Sequence, residues 1–227
     1  MIEVRAVTKT YGKKKNIFTA LDDVSFTIPD GASVAIIGKS GSGKSTLMHV
    51  MSGLDRPESG EIMIDGENIL TFKQKRVDIF RSEKMAFIFQ SFFVQGNESC
   101  YNNVGLPLEI ARVPMRHRKT RIEKALDAVG LLEKKKQRAR DLSGGQKQRL
   151  AIARAIVNKP TILFADEPTG NLDSVTGASV EKLLFDYNKK NNTTLIVVTH
   201  DIDLAKRCDM QVYIKDGKVV RVLGGAQ

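Results

Sequence analysis

The 227-residue chain has no tryptophan, only two cysteines and only three histidines. Cys100 and Cys208 stand in no metal-ligand spacing and cannot form a disulfide framework, which points to a reducing compartment. No apolar run approaches the roughly 20 residues of a membrane span, so work at a membrane would require another chain to supply the spanning part. The start, Met1-Ile2-Glu3-Val4-Arg5, lacks the shape of a secretory signal. Internal repeats, low-complexity segments, a long coiled-coil insertion and a basic tail are also missing. Acidic residues are in deficit, 26 against 36 Lys and Arg, for a formal charge of +10. That excess fits nucleic acid, an anionic membrane surface or an anionic ligand. The basic residues form short scattered clusters, Lys13–Lys15, Arg116–Lys119, Lys134–Lys136 and Lys189-Lys190, as a solvated surface also would.

What is present is 41% apolar content, enough for a sizeable core in one large domain or one domain carrying a smaller one. One stretch organises it. The apolar run Val34–Ile37 reads as a buried strand. Gly38-Lys39-Ser40-Gly41-Ser42-Gly43-Lys44-Ser45-Thr46 follows, and a helical pattern starts at Thr46. Strand, glycine-rich loop and helix in this order satisfy G-x-x-x-x-G-K-[ST], a nucleotide phosphate loop. Gly38, Gly41 and Gly43 let backbone N–H groups approach phosphate oxygens. The helix adds its positive end. Lys44 supplies a point charge for the β- and γ-phosphates, and the Ser45 hydroxyl is a ligand for Mg²⁺.

Strands are expected at 2–8, about 20–28, 61–66, 85–89, 161–165 and 195–199, with a last hairpin around Asp216-Gly217. Helices are expected at 74–82, 116–129, 146–157 with Ser143 as N-cap, 174–190 and 201–208. Strand signals vanish between about 91 and 157. The expected fold is therefore α/β: a phosphate-loop core with a mainly parallel sheet, an N-terminal antiparallel β region and an inserted helical subdomain. It forms a single domain, with core 1–90 and 158–227 and helical part about 91–157.

Further residues fall at strand ends, where open α/β sheets place ligands. Asp166 closes an apolar strand and suits Mg²⁺. Glu167 comes next and suits activation of an attacking water. His200 ends a neighbouring strand within reach of a γ-phosphate. Read without the loop, the same residues are a loop carboxylate, a helix cap and a structural histidine.

Leu142-Ser143-Gly144-Gly145-Gln146, continued by Lys147-Gln148-Arg149-Leu150-Ala151, resembles the signature of the ATP-binding-cassette ATPases. With Gly38–Thr46, Gln90, Ile162–Glu167, Leu172-Asp173 and His200, every motif of that family stands in order over nearly the whole chain. The resemblance implies an ATPase with ATP and Mg²⁺ bound between two copies of the chain. Ser143, Gly144, Gly145 and Gln146 of one copy would cover the γ-phosphate held by the other's loop. It implies that Tyr11 stacks on adenine, and that Gln90 contacts Mg²⁺ and the attacking water. It also implies that Asp173 touches the opposite copy and that His200 is the switch histidine. Mg²⁺ would then be held by Ser45, Gln90 and Asp166, and catalysis carried by Glu167, His200 and Gln90. Asp166–Ser174 and the opening Ile2-Glu3-Val4 are similar to the branch with lipoprotein-release, macrolide-export and FtsE-type cell-division ATPases. That branch implies a separately encoded permease-type membrane subunit, driven from the cytoplasmic face by a peripheral protein without nucleic acid. The other class open to a cassette is a soluble ATPase acting on DNA or ribosomes. Ser91–Val104 departs from the branch's pattern. Phe92, Phe93 and Tyr101 there suit either anchoring a partner helix or filling the core of the helical part.

Overall fold

The computed structural model describes residues 1–13 and 16–225; Lys14 and Lys15 of the first basic cluster lie outside the described residues. Alternating apolar residues build an antiparallel sheet first. β1 (Ile2–Tyr11) pairs with β2 (Phe18–Ile28) on one side and β4 (Ser59–Ile64) on the other, and β5 (Glu67–Asn68) completes the order β2-β1-β4-β5. Ile2, Val4, Val7, Ile62 and Ile64 are buried on its inner face. β1 and β2 run further than the sequence suggests, because Tyr11 pairs with Phe18 across the basic turn.

The second sheet has the order β10-β9-β3-β8-β7-β6. Its strands are β3 (Ser33–Ile37), β6 (Met85–Ile88), β7 (Ile162–Asp166), β8 (Thr194–Thr199), β9 (Met210–Lys215) and β10 (Lys218–Gly224). All neighbours run parallel except the β9–β10 hairpin. Every residue of β3 and β8 is buried, as continuous apolar runs covered on both faces must be.

Two cores flank this sheet. One lies between the sheets and holds Leu21, Ile36, Leu47 and Phe164. The other joins Ala35, Leu163 and Leu195 of the strands to the helices. α3 (Cys100–Ile110), α4 (Met115–Ala128) and α5 (Gly144–Ile156) contribute Leu108, Leu126 and Leu150. α6 (Ser174–Asn191) adds Val180 and Leu184. The helical stretch thus shares one core with the sheet. α1 (Lys44–Met51), α2 (Gln74–Lys84) and α7 (Ile202–Lys206) complete the chain.

α3 was not expected, since Gly105 and Pro107 weaken its helical signal. Tertiary contacts form it. Cys100, Val104 and Leu108 recur on one buried face, and the Ser99 hydroxyl accepts from the Asn102 N–H. A Cβ on Gly105 would stand 3.2 Å from Ile122 Cδ1, so the glycine lets α3 and α4 approach closely.

Phe164 has no exposed surface, and its ring stacks on Phe87 with centroids 5.3 Å apart. Phe164→Ala is expected to cost about 3–5 kcal/mol in urea unfolding. A loss below about 1 kcal/mol would show that the core between the sheets collapses around the gap.

Candidate functional site

Strand register assembles the site. Ile37 at the end of β3 pairs with Thr199 of β8, and Asp166 at the end of β7 pairs with Val198. The loop after β3, the carboxylates after β7 and the histidine after β8 therefore meet at one sheet edge. They line a cavity of about 630 Å³, together with Tyr11, Phe18, Ala20 and Val198.

The loop conformation follows from its glycines. Gly43 has φ 104°, and a Cβ there would lie 2.4 Å from the Ala20 carbonyl oxygen. A Cβ on Gly38 would lie 2.3 Å from the Ile214 carbonyl oxygen. The β9–β10 turn braces the loop from below, with the Gly217 N–H donating to the Ser42 carbonyl at 3.1 Å. The Ser42 hydroxyl is buried without a partner. Lys44 is largely buried, and its Nζ donates to the Lys39 carbonyl at 2.9 Å.

α1 begins with no side-chain cap, as do α2 and α4, whereas Ser99, Ser143, Asp173 and Asp201 cap α3, α5, α6 and α7. Among the described residues, the N–H groups of Gly41, Gly43, Lys44, Ser45 and Thr46 have no acceptor in the chain. Uncapped donors at a helix N-terminus, beside a lysine, form an anion site suited to phosphates. Ser45, exposed beside Asp166 in the same cavity, completes an oxygen donor set suited to Mg²⁺.

Across the cavity the Glu167 Oε1 lies 2.9 Å from His200 Nδ1. A carboxylate there accepts from Nδ1–H and fixes the ring. Glu167 sits at φ 43°, held by its N–H donating to the Val198 carbonyl at 2.9 Å. Burial first, and the charge of Glu167 second, push the Asp166 carboxyl above its ordinary 3.8, with His49 and Lys44 partly opposing.

The aromatic end has its own scaffold. The Tyr11 hydroxyl donates to Asp55 at 2.7 Å, and Lys9 Nζ donates to the same carboxylate at 3.0 Å. Burial would raise Asp55, but these hydrogen bonds outweigh it and hold the group below its ordinary range.

The remaining expected residues stand apart. Gln90 does not line the cavity. It adjoins it at Gly170, where a Cβ would lie 3.0 Å from Gln90 Nε2 and 3.4 Å from Glu167 Oε2. Ser143 to Gln146 and Asp173 lie outside the cavity altogether. Ser143 and Gln146 form a reciprocal capping box at the start of α5. Gly145 lets that turn meet α6, since a Cβ would fall 2.3 Å from Thr176 Cγ2. Asp173 caps α6 there by accepting from the Thr176 N–H. Sequence reading missed Phe18, Ala20, Val198 and Asp55. Only strand register and a contact 44 residues long in sequence bring them in.

Fold and site together define a phosphate-loop nucleotide-binding cassette. The family model described as ABC transporter matches residues 21–170. The lipoprotein-releasing system ATP-binding protein LolD of Syntrophus aciditrophicus is 40% identical, over 97% of this chain and 99% of its own. The uncharacterized ABC transporter ATP-binding protein YknY of Bacillus subtilis is 39% identical, over 99% and 97%. The dimeric structure of MJ0796, a bacterial ABC transporter cassette, superposes with a TM-score of 0.90 at 38% identity, covering all of both chains. A dimeric post-hydrolysis state of MJ0796 bound to ADP and Pi gives 0.89 at 37%, again with full coverage of both. The chain belongs to the ABC transporter family, as an ATP-binding and ATP-hydrolysing subunit.

The raised Asp166 makes a prediction about stability. Its folded pKa exceeds the unfolded one, so its favourable contribution is present at low pH and lost as pH rises through the folded value. At neutral pH the nucleotide-free protein carries a poorly solvated charge. Asp166→Asn is expected to raise the Tm of nucleotide- and Mg²⁺-free protein at pH 7, with the gain vanishing near pH ~4. An unchanged Tm at pH 7 would show that neighbouring groups already balance the charge.

Proposed function

We propose that the chain works as a homodimer around two ATP and drives a separately encoded membrane subunit in export, lipoprotein or peptide handling, or another cell-envelope process. We place it peripherally on the cytoplasmic face of the membrane; no helix among the described residues is long and apolar enough to cross one. One observation carries the dimer. The loop, Asp166, Glu167 and His200 share a cavity, while Ser143–Gln146 and Asp173 stand together outside it. A second copy is what would bring a signature turn over the first copy's phosphates.

Lys44 and the free N–H groups would bind the phosphates, and Tyr11 with Phe18 would hold the base. Ser45, Asp166 and Gln90 would hold Mg²⁺, which when bound neutralises phosphate charge. Glu167 would take the proton of the attacking water, with His200 fixing its carboxylate. Nothing in the site favours the reading as a soluble ATPase acting on DNA or ribosomes.

Glu167→Gln is expected to retain ATP binding but lose turnover by about 100-fold or more. With ATP and Mg²⁺, size-exclusion chromatography with light scattering should then show a dimer. A strict monomer with ATP bound would remove the composite site.

The segment after Gln90 is proposed to receive the membrane subunit. Phe93 is 66% exposed at φ 46°, while Phe92 and Tyr101 are half-buried and Tyr101 packs on the helical core. Arg154 of α5 donates to the Phe92 and Phe93 carbonyls, so this segment is tied to the helix that begins at the signature. Phe93→Ala should leave basal ATPase and melting unchanged and reduce stimulation by a reconstituted membrane subunit. Intact stimulation would move the docking site elsewhere.

A further inference from the structure

A second concavity shares no lining residue with the nucleotide cavity. It is a groove of about 690 Å³ between α4 and the end of α5 on one side and α6 on the other. Its charge is one-sided. Arg121 and Lys124 of α4, Lys159 after α5, and Lys182 and Lys190 of α6 line it, with Asp186 as the one acidic group. All five cations are exposed, and among the described residues none is held in an ion pair. The floor is apolar, formed by Ile156, Val157 and Leu183. A cationic wall over an apolar floor complements a ligand with an anionic head and an apolar body. The volume is that of a small-molecule site; a three-turn helix would displace roughly 1,200 Å³.

Position gives the groove a means of control. α5 starts at the signature turn and ends at the groove. α6 starts at the Asp173 cap and forms the facing wall. The two helices touch at Gly145 and Thr176. A ligand bridging cations on α4 and α6 would tie the α4–α5 part to α6, and so bear on the signature turn at the start of α5. It shifts that equilibrium only by its differential affinity for the two arrangements.

We propose that this groove binds an amphipathic anion, a phosphate-bearing group on an apolar chain, and that its occupancy regulates ATP turnover. The binding half stands independently of the membrane coupling proposed above.

The test uses the full chain saturated with ADP and Mg²⁺, so that the nucleotide cavity is filled. Calorimetric titration compares 1-oleoyl lysophosphatidate below its micellar concentration, mono-oleoylglycerol and inorganic pyrophosphate. Lysophosphatidate should bind at least about tenfold tighter than either. The double variant Lys124→Glu/Lys182→Glu should weaken it by about tenfold. If that variant misfolds, the neutral pair Arg121→Gln/Lys190→Gln serves, with an unchanged melt as control. Lysophosphatidate should change wild-type ATPase by about twofold or more, and that of the double variant much less. No binding, equal affinity for pyrophosphate, or binding retained by the folded variants overturns the site. Binding with unchanged turnover overturns the regulatory role. Preference for a Glu-rich amphipathic helix over the lipid reassigns the groove to a protein.

Discussion

The site rests on one unmet need, the free N–H groups at the start of α1. Helices often close this end with a side chain, as four of the six other α-helices here do; α2 and α4 also lack one, but neither starts from a glycine-rich loop. Here Gly43 occupies the cap position in a left-handed conformation and offers no oxygen. The turn is pinned by backbone rather than side chains. The Ala20 carbonyl crowds Gly43 from β2, and Gly217 holds Ser42 from the β9–β10 hairpin. The antiparallel sheet and the last hairpin therefore both position a loop that belongs to the parallel sheet. Substituting either glycine would move the loop before it touched any ligand group.

α5 ties together three separate elements of the chain. Its first turn is the capping box of Ser143 and Gln146, pressed on α6 through Gly145. One turn on, buried Gln148 donates from Nε2 to the Pro168 carbonyl at 2.6 Å, next to Glu167. Further on, Arg154, its pKa lowered by burial, holds the Phe92 and Phe93 carbonyls. One helix thus touches the signature turn, the loop that carries Glu167 and the segment after Gln90.

Legibility in the sequence followed contact distance. The phosphate loop could be read because its glycines, lysine and helix start are adjacent, and their chemistry needs only local geometry. The parallel strands could be read because burial on both faces leaves unbroken apolar runs. Ser143 as the start of α5 followed from capping chemistry within four residues. Phe18 and Asp55 were invisible, since each reaches the nucleotide cavity or its aromatic wall only through β1 and its neighbours. Gln148 looked like part of the signature's polar run, and its bond to Pro168 spans 20 residues. α3 was hidden by its own Gly105 and Pro107, and it forms because tertiary burial outweighs weak propensity.

The places where local rules fail are concentrated at the cavity. Glu167 stands at positive φ, Asp166 ionises beside another carboxylate, and the α1 end is uncapped. Each is unfavourable alone, and each lies next to a fully buried strand, β3 or β8, or at the end of one. Those strands supply the stability that the edge gives up. The last two of these faults share a remedy. Under the proposed function, a polyphosphate carrying Mg²⁺ would supply acceptors for the free N–H groups and a cation for Asp166. ATP with its metal would therefore stabilise the fold as it binds, by an amount that grows with concentration above its Kd.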